Sequence, residues 1–226
     1  MSNNTIPALA IRMSNLGILA LACLGMLVPA SIVQAAAWAE IGDAIDLLPG
    51  QNTLGVGSLD LITGEINTSL DKDMYRIKID NPAVFSAQVL AGGTLLDTQL
   101  FLFDSAGLGV YANDDVTAVN PLSLLPVGDP AGPIAVGIYF LTISGRDNDP
   151  TAAALEIFTD GIPGVQTPLI AAPVDGWSAG FSVFGGTYTI ELTGATFATV
   201  PEPSSLALAA LGLIGLAAWG WRRRKC

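Results

Sequence analysis

The stretch Thr98-Gln99-Leu100-Phe101-Leu102-Phe103, set between Asp97 and Asp104, decides the fold. In a strand, successive side chains point to opposite faces. Here both sets are apolar: Leu100 with Leu102, and Phe101 with Phe103. A strand with two faces to bury reads as the centre of a layered structure, not as a half-solvated edge.

Working outward, the same period of two recurs in shorter pieces. Met74-Tyr75-Arg76-Ile77-Lys78-Ile79 puts Tyr75, Ile77 and Ile79 on one face and both cations on the other. From Val84 to Leu90, Phe85, Ala87 and Val89 share a side opposite Ser86 and Gln88. Gly137-Ile138-Tyr139-Phe140-Leu141-Thr142-Ile143 is a second buried strand. Gly186-Thr187-Tyr188-Thr189-Ile190-Glu191-Leu192 aims Tyr188, Ile190 and Leu192 inward. Further strands are expected near 59–66 and 109–112. Gly and Pro punctuate the chain between these pieces, and helical periodicity is scarce. The pattern predicts an all-β domain, an antiparallel β-sandwich. Its connections are uneven. Residues 116–133 and 147–185 make two long loops, the second with Leu155, Ile157 and Phe158 as one more strand or as packing under the loop. Residues 193–200 read as a short spacer.

Charge is distributed unevenly. Of nine basic residues, only Lys72, Arg76, Lys78 and Arg146 lie between positions 36 and 200. Of twenty acidic residues, all but Glu202 lie there. So acidic a surface repels nucleic acid and anionic membranes, which removes nucleic acid as a partner. It suits divalent cations, or solubility outside the cell. The chain has no His, which excludes Ser-His-Asp and Cys-His catalysis and the commonest zinc ligand. No pair of carboxylates is marked out as a glycosidase pair. The chain is therefore read as no enzyme.

Both ends carry targeting chemistry. Arg12 precedes an apolar stretch over 16–33, and Val33-Gln34-Ala35 supplies small residues for cleavage. Residues 1–35 thus read as a secretory signal peptide for the Sec machinery, cut after Ala35, with Ala37 as second choice. Cys23 invites a lipoprotein reading, but Ala20 stands where a Leu is usual. Both cysteines, Cys23 and Cys226, fall in the end segments, so the middle has no disulfide. At the other end, Pro201-Glu202-Pro203 leads to a charge-free run over 204–221 and then to Arg222-Arg223-Arg224-Lys225. A helix over 204–221 would be roughly 27 Å long, near the lower limit for crossing a bilayer. The cations would stay on the cytoplasmic side, leaving the bulk of the protein outside.

This tail resembles the PEP-CTERM sorting signal of Gram-negative bacteria, on Pro201, Glu202, Pro203, the apolar run and Arg222, Arg223, Arg224 and Lys225. The resemblance implies processing by an exosortase, with the inner membrane as a transient anchor. The middle resembles the bacterial pre-peptidase C-terminal (PPC) domain over 59–144. It does so through Gly64-Glu65-Ile66, Asp71-Lys72-Asp73-Met74-Tyr75, the Asp97–Asp104 stretch, Gly107, Ala112-Asn113-Asp114-Asp115 and Gly137-Ile138-Tyr139-Phe140-Leu141. That resemblance implies a jelly-roll-like sandwich acting as an accessory module. The expected organisation is therefore a signal peptide over 1–35, a PPC-like sandwich over 36–199 and a sorting signal over 200–226.

Candidate site residues follow from clustered hard oxygens. Asp71 and Asp73 alternate at the start of one strand. Asp104 ends another, and Asn113, Asp114 and Asp115 occupy a turn. Calcium takes such ligands, while turn chemistry alone uses the same residue types. Asp147-Asn148-Asp149 is a second cluster open to both readings. Calcium is the one cofactor these residues suggest. Trp177, with Phe181 and Phe184, is either a glycan-stacking site or a satellite core. The functional expectation is a non-catalytic exported protein of the cell surface, or of an exopolysaccharide or biofilm matrix. The alternative is a carbohydrate-binding module on the cell surface.

Overall fold

The structure, a computed structural model, describes residues 35–94, 97–159, 163–178 and 185–198. The signal peptide up to position 34, the aromatics Phe181 and Phe184, and the sorting signal with its expected membrane helix over 204–221 lie outside the described residues. Within them, no helix is long and apolar enough to cross a membrane.

The described chain is all-β. Its strands are, in chain order, β1 (Ala37–Ala39), β2 (Gln51–Asn52), β3 (Leu61–Ile66), β4 (Lys72–Ile79), β5 (Ser86–Val89), β6 (Thr98–Phe103), β7 (Gly109–Asn113), β8 (Leu124–Leu125), β9 (Gly137–Gly145), β10 (Pro150–Ala152), β11 (Leu155–Glu156), β12 (Val165–Gln166), β13 (Gly176–Trp177), β14 (Gly186–Thr193) and β15 (Ala195–Phe197). A five-stranded sheet has the order β1-β3-β14-β5-β8. A seven-stranded sheet has the order β12-β7-β6-β9-β4-β15, with β2 also on β4. A small third sheet has the order β11-β10-β13.

Period-two patterning explains which faces meet. From the seven-stranded sheet, Tyr75, Ile77, Ile79, Leu100, Leu102, Leu141 and Ile143 enter one core cluster with Ile62, Ile66, Ala87, Val89, Tyr188, Ile190 and Leu192 of the five-stranded sheet. The other face, carrying Met74, Phe101, Phe103, Ala112 and Phe140, packs in a second cluster with Ile157, Phe158 and Val174 from the long loop. The expectation of a doubly buried β6 is met, since all six of its residues are buried. Leu155 is 62% exposed, whereas Ile157 and Phe158 form the underside of the loop.

Three features depart from the expected sandwich. The sheets are mixed: β1 pairs parallel with β3, and β2 parallel with β4. Both parallel strands come from residues 36–52, a stretch of two- and three-residue strands too short to show periodicity. The expected spacer over 193–200 instead continues the fold. Gly194, at φ +69°, turns the chain out of β14 and into β15 on the opposite sheet. There Ala195, Phe197 and Ala198 are buried. The chain between β1 and β2 crosses from one sheet to the other and closes one end of the sandwich. It is held by Gln51, whose Oε1 accepts from Trp38 Nε1 and Ile41 N and whose Nε2 donates to Ile41 O.

Candidate functional site

That closed end carries a group of carboxylates. Asp73 projects from β4, Glu40 follows β1, and Asp43 lies on the crossing segment. One carboxylate oxygen from each comes within 4.8 Å of the others. Local structure aims each group. Glu40 Oε1 accepts from Ala44 N at 2.8 Å, and its Oε2 from Glu65 N at 3.0 Å. Asp43 Oδ1 accepts from Asn67 Nδ2 at 3.0 Å. The adjacent Asp71 accepts from Asn67 N at 2.5 Å. Asp73 is fully buried. Its Oδ2 accepts from the Tyr188 hydroxyl at 2.5 Å, and its Oδ1 meets no N–H or O–H donor.

Tyr188 reaches Asp73 from the opposite sheet, and its oxygen also lies 2.5 Å from the Tyr75 hydroxyl. Because Tyr188 gives its single proton to Asp73, Tyr75 donates to Tyr188. The chain Tyr75–Tyr188–Asp73 thus joins two residues of β4 through one residue of β14, tying the two sheets together in the core. Gly64 makes room for it. A Cβ there would fall on the Tyr188 hydroxyl and within 2.7 Å of Glu40 Oε2. A cleft of about 700 Å³ opens beside this point, lined by Glu40, Gly64, Glu65, Gly92, Thr187 and Tyr188 among others.

The electrostatics of the cluster are unfavourable as it stands. Two unit charges within 4.8 Å of each other, at an effective dielectric of 20, repel by about 3–4 kcal/mol or more. None of the ion pairs among the described residues reaches the cluster, these being Lys78–Asp80, Arg146–Asp97 and Arg146–Asp147. Burial raises the Asp73 pKa from 3.8 to about 9, with repulsion from Glu40 and Asp71 adding to the rise and the Tyr188 hydrogen bond opposing it. Burial also raises Tyr75 and Tyr188, which stay neutral.

A pH dependence follows. Without a metal ion the folded state holds a proton on Asp73 that the unfolded chain releases above 3.8. Stability from this group is therefore full below that value and is lost as pH rises through about 9. The slope for one such group is about 1.4 kcal/mol per pH unit. Asp46 and Asp71, also raised chiefly by burial, act in the same direction, and the chain has no His to titrate between them. Urea melts in chelator between pH 5 and pH 8 should show stability falling with pH; a rise would contradict this account.

The other expected ligands separate. Asp114 and Asp115 meet Asp97 in a second carboxylate group, again within 4.8 Å, beside Arg146 and a cleft of about 270 Å³. Asn113 is used locally, its Nδ2 donating to Asp115 O and its Oδ1 accepting from Leu124 N. Asp104 stands apart in a turn, where Oδ1 accepts from Ala106 N and Leu108 N. In the Asp147-Asn148-Asp149 cluster, Asn148 donates to Ser69 O, and Asp149 accepts from the buried Gln99 amide. Glu40, Asp43 and Asp97 were not among the sequence candidates. Glu40 and Asp43 lie 33 and 30 positions before Asp73, and Asp97 lies 17 before Asp114, so spacing carried no sign of them.

Trp177 is half-buried on the outer face of the seven-stranded sheet. Its ring lies edge-on to Phe101 at 5.8 Å, and its Nε1 donates to Asp46 O at 2.9 Å. Lys72 Nζ sits 5.8 Å from the ring centroid, the geometry of a cation–π contact.

Comparison with known proteins bears on the tail alone. No curated protein matches the chain. Residues 199–225 match the PEP-CTERM protein-sorting motif, which implies processing by an exosortase, export and cell-surface sorting.

Proposed function

We propose that this chain is a non-catalytic protein of the cell surface or extracellular matrix, delivered through its C-terminal tail and acting through the β-domain as a PPC-like accessory module. The observation that carries the reading is the sorting motif at 199–225, placed directly after a β-domain whose last described strand is β15. The acidic middle of the chain and its lack of His fit a binding or structural role better than hydrolysis. A signal peptide ending at Ala35 fits the same reading. Ala36 N donates to Asp60 Oδ2 at 2.8 Å, so cleavage there would leave the new α-ammonium beside a carboxylate.

The test is replacement of Pro201, Glu202 and Pro203 by Ala in the producing cell. The expected result is an unprocessed, membrane-retained precursor of higher mass on an immunoblot. Processing to the same product as the natural sequence would refute the exosortase reading. A matrix role predicts co-fractionation of the processed protein with extracellular polysaccharide.

A further inference from the structure

We propose that Glu40, Asp43 and Asp73 form a binding site for a divalent cation of the calcium class, which fastens the segment between β1 and β2 to the end of the sandwich.

Three observations carry it, and none depends on the sorting tail. The three carboxylates converge within 4.8 Å of one another although they come from separate parts of the chain. The buried member has an oxygen, Asp73 Oδ1, with no donor facing it, and Asp73 itself is 0% exposed. Buried polar atoms are almost always satisfied, and an orphan oxygen among carboxylates is the chemistry a metal ion completes. The groups are also held in place from outside the site. Tyr188 fixes Asp73, two backbone N–H groups fix Glu40, and Asn67 fixes Asp43.

The donor set selects the ion. All three ligands are hard carboxylate oxygens, with no nitrogen or sulfur among them, which disfavours zinc and the softer transition metals. Asp71 adds negative potential beside them. The 700 Å³ cleft that Glu40 lines leaves room for water ligands. Calcium accepts such an irregular set of six to eight oxygens, whereas magnesium demands a regular octahedron. The second carboxylate group, Asp97 with Asp114 and Asp115, has Arg146 beside it and is not part of the proposal.

The consequence is mechanical. Glu40 and Asp43 belong to the segment that crosses between the sheets, while Asp73 belongs to β4. A cation shared by all three ties that crossing to the core. Calcium is scarce inside cells and plentiful outside, so the tie would form after export.

The experiment uses the full chain in mild detergent, titrated with Tb³⁺ as a luminescent calcium substitute and with Ca²⁺ and Mg²⁺ in separate melts. Tyr188 touches a ligand, so excitation near 280 nm should produce sensitised Tb³⁺ emission that Ca²⁺ displaces. At saturating Ca²⁺ the melting temperature should rise by about 5–10 °C relative to chelator, and by less in Mg²⁺. Asp43→Asn keeps the shape and the Asn67 contact of an exposed residue. It should fold normally yet weaken Ca²⁺ binding about tenfold or more. The double variant Asp114→Asn/Asp115→Asn should bind as the natural chain does. The proposal is overturned if Ca²⁺ leaves the melting temperature unchanged, if Asp43→Asn titrates like the natural chain, or if only the double variant loses the response. A melting temperature that responds to pH but not to Ca²⁺ would show that a shared proton satisfies Asp73 instead, which also overturns it.

Discussion

Phe101→Ala is expected to lower the stability of the β-domain by about 3–5 kcal/mol, the usual cost of emptying a buried aromatic site. Phe101 is 2% exposed in the middle of β6. Its ring lies 5.7 Å from Phe158 and 5.8 Å from Trp177. The partners belong to the long loop over 147–185, so the truncation opens a cavity and frees the loop that roofs it. Collapse into the space is resisted from below, because β6 is hydrogen-bonded to β7 on one side and β9 on the other. Leu155→Ala, at a position 62% exposed in the same loop, should change stability by less than about 0.5 kcal/mol. Urea denaturation of both variants checks the contrast. A cost near 1 kcal/mol for Phe101→Ala would mean that the second cluster is not a packed core.

Tyr188→Phe is expected to cost roughly 2–4 kcal/mol although it removes one oxygen atom. The hydroxyl serves two buried groups at once, as donor to Asp73 and acceptor from Tyr75. Without it, Asp73 has no donor on either oxygen, and the Tyr75 proton has nowhere to go. Tyr75→Phe leaves the Tyr188–Asp73 bond intact, so it should cost only about 1 kcal/mol. The double variant should cost less than the sum of the two singles, because both disrupt one shared contact. Equal costs for the two single variants would show that Asp73 does not depend on Tyr188.

Much of this architecture is legible in the residues because its main strands alternate cleanly. Tyr75, Ile77 and Ile79 point inward as their spacing requires, as do Tyr188, Ile190 and Leu192. Both faces of β6 are buried because both sets of its side chains are apolar. The sequence pattern does not reach β1, β2 and β15. These strands are two or three residues long, and they are placed by pairing with distant partners. The carboxylate cluster shows the same limit. Asp73 stands out in the sequence, but Glu40 and Asp43 join it only because the chain between β1 and β2 crosses from sheet to sheet. Asp104 and Asn113 look equally ligand-like in the sequence, yet their oxygens accept backbone N–H groups in local turns and loops. Residue type and spacing do not separate these two fates; the position of each residue relative to the sheet ends does.

The claim that the tail directs a self-contained β-domain is tested most directly by removing residues 201–226 and fractionating the cells. The described fold ends at position 198, with β15 already paired to β4. The truncated protein should therefore melt at the same temperature as the processed one. It should also leave the envelope and appear in the soluble periplasmic or extracellular fraction. An unchanged distribution between envelope and soluble fractions would contradict the account.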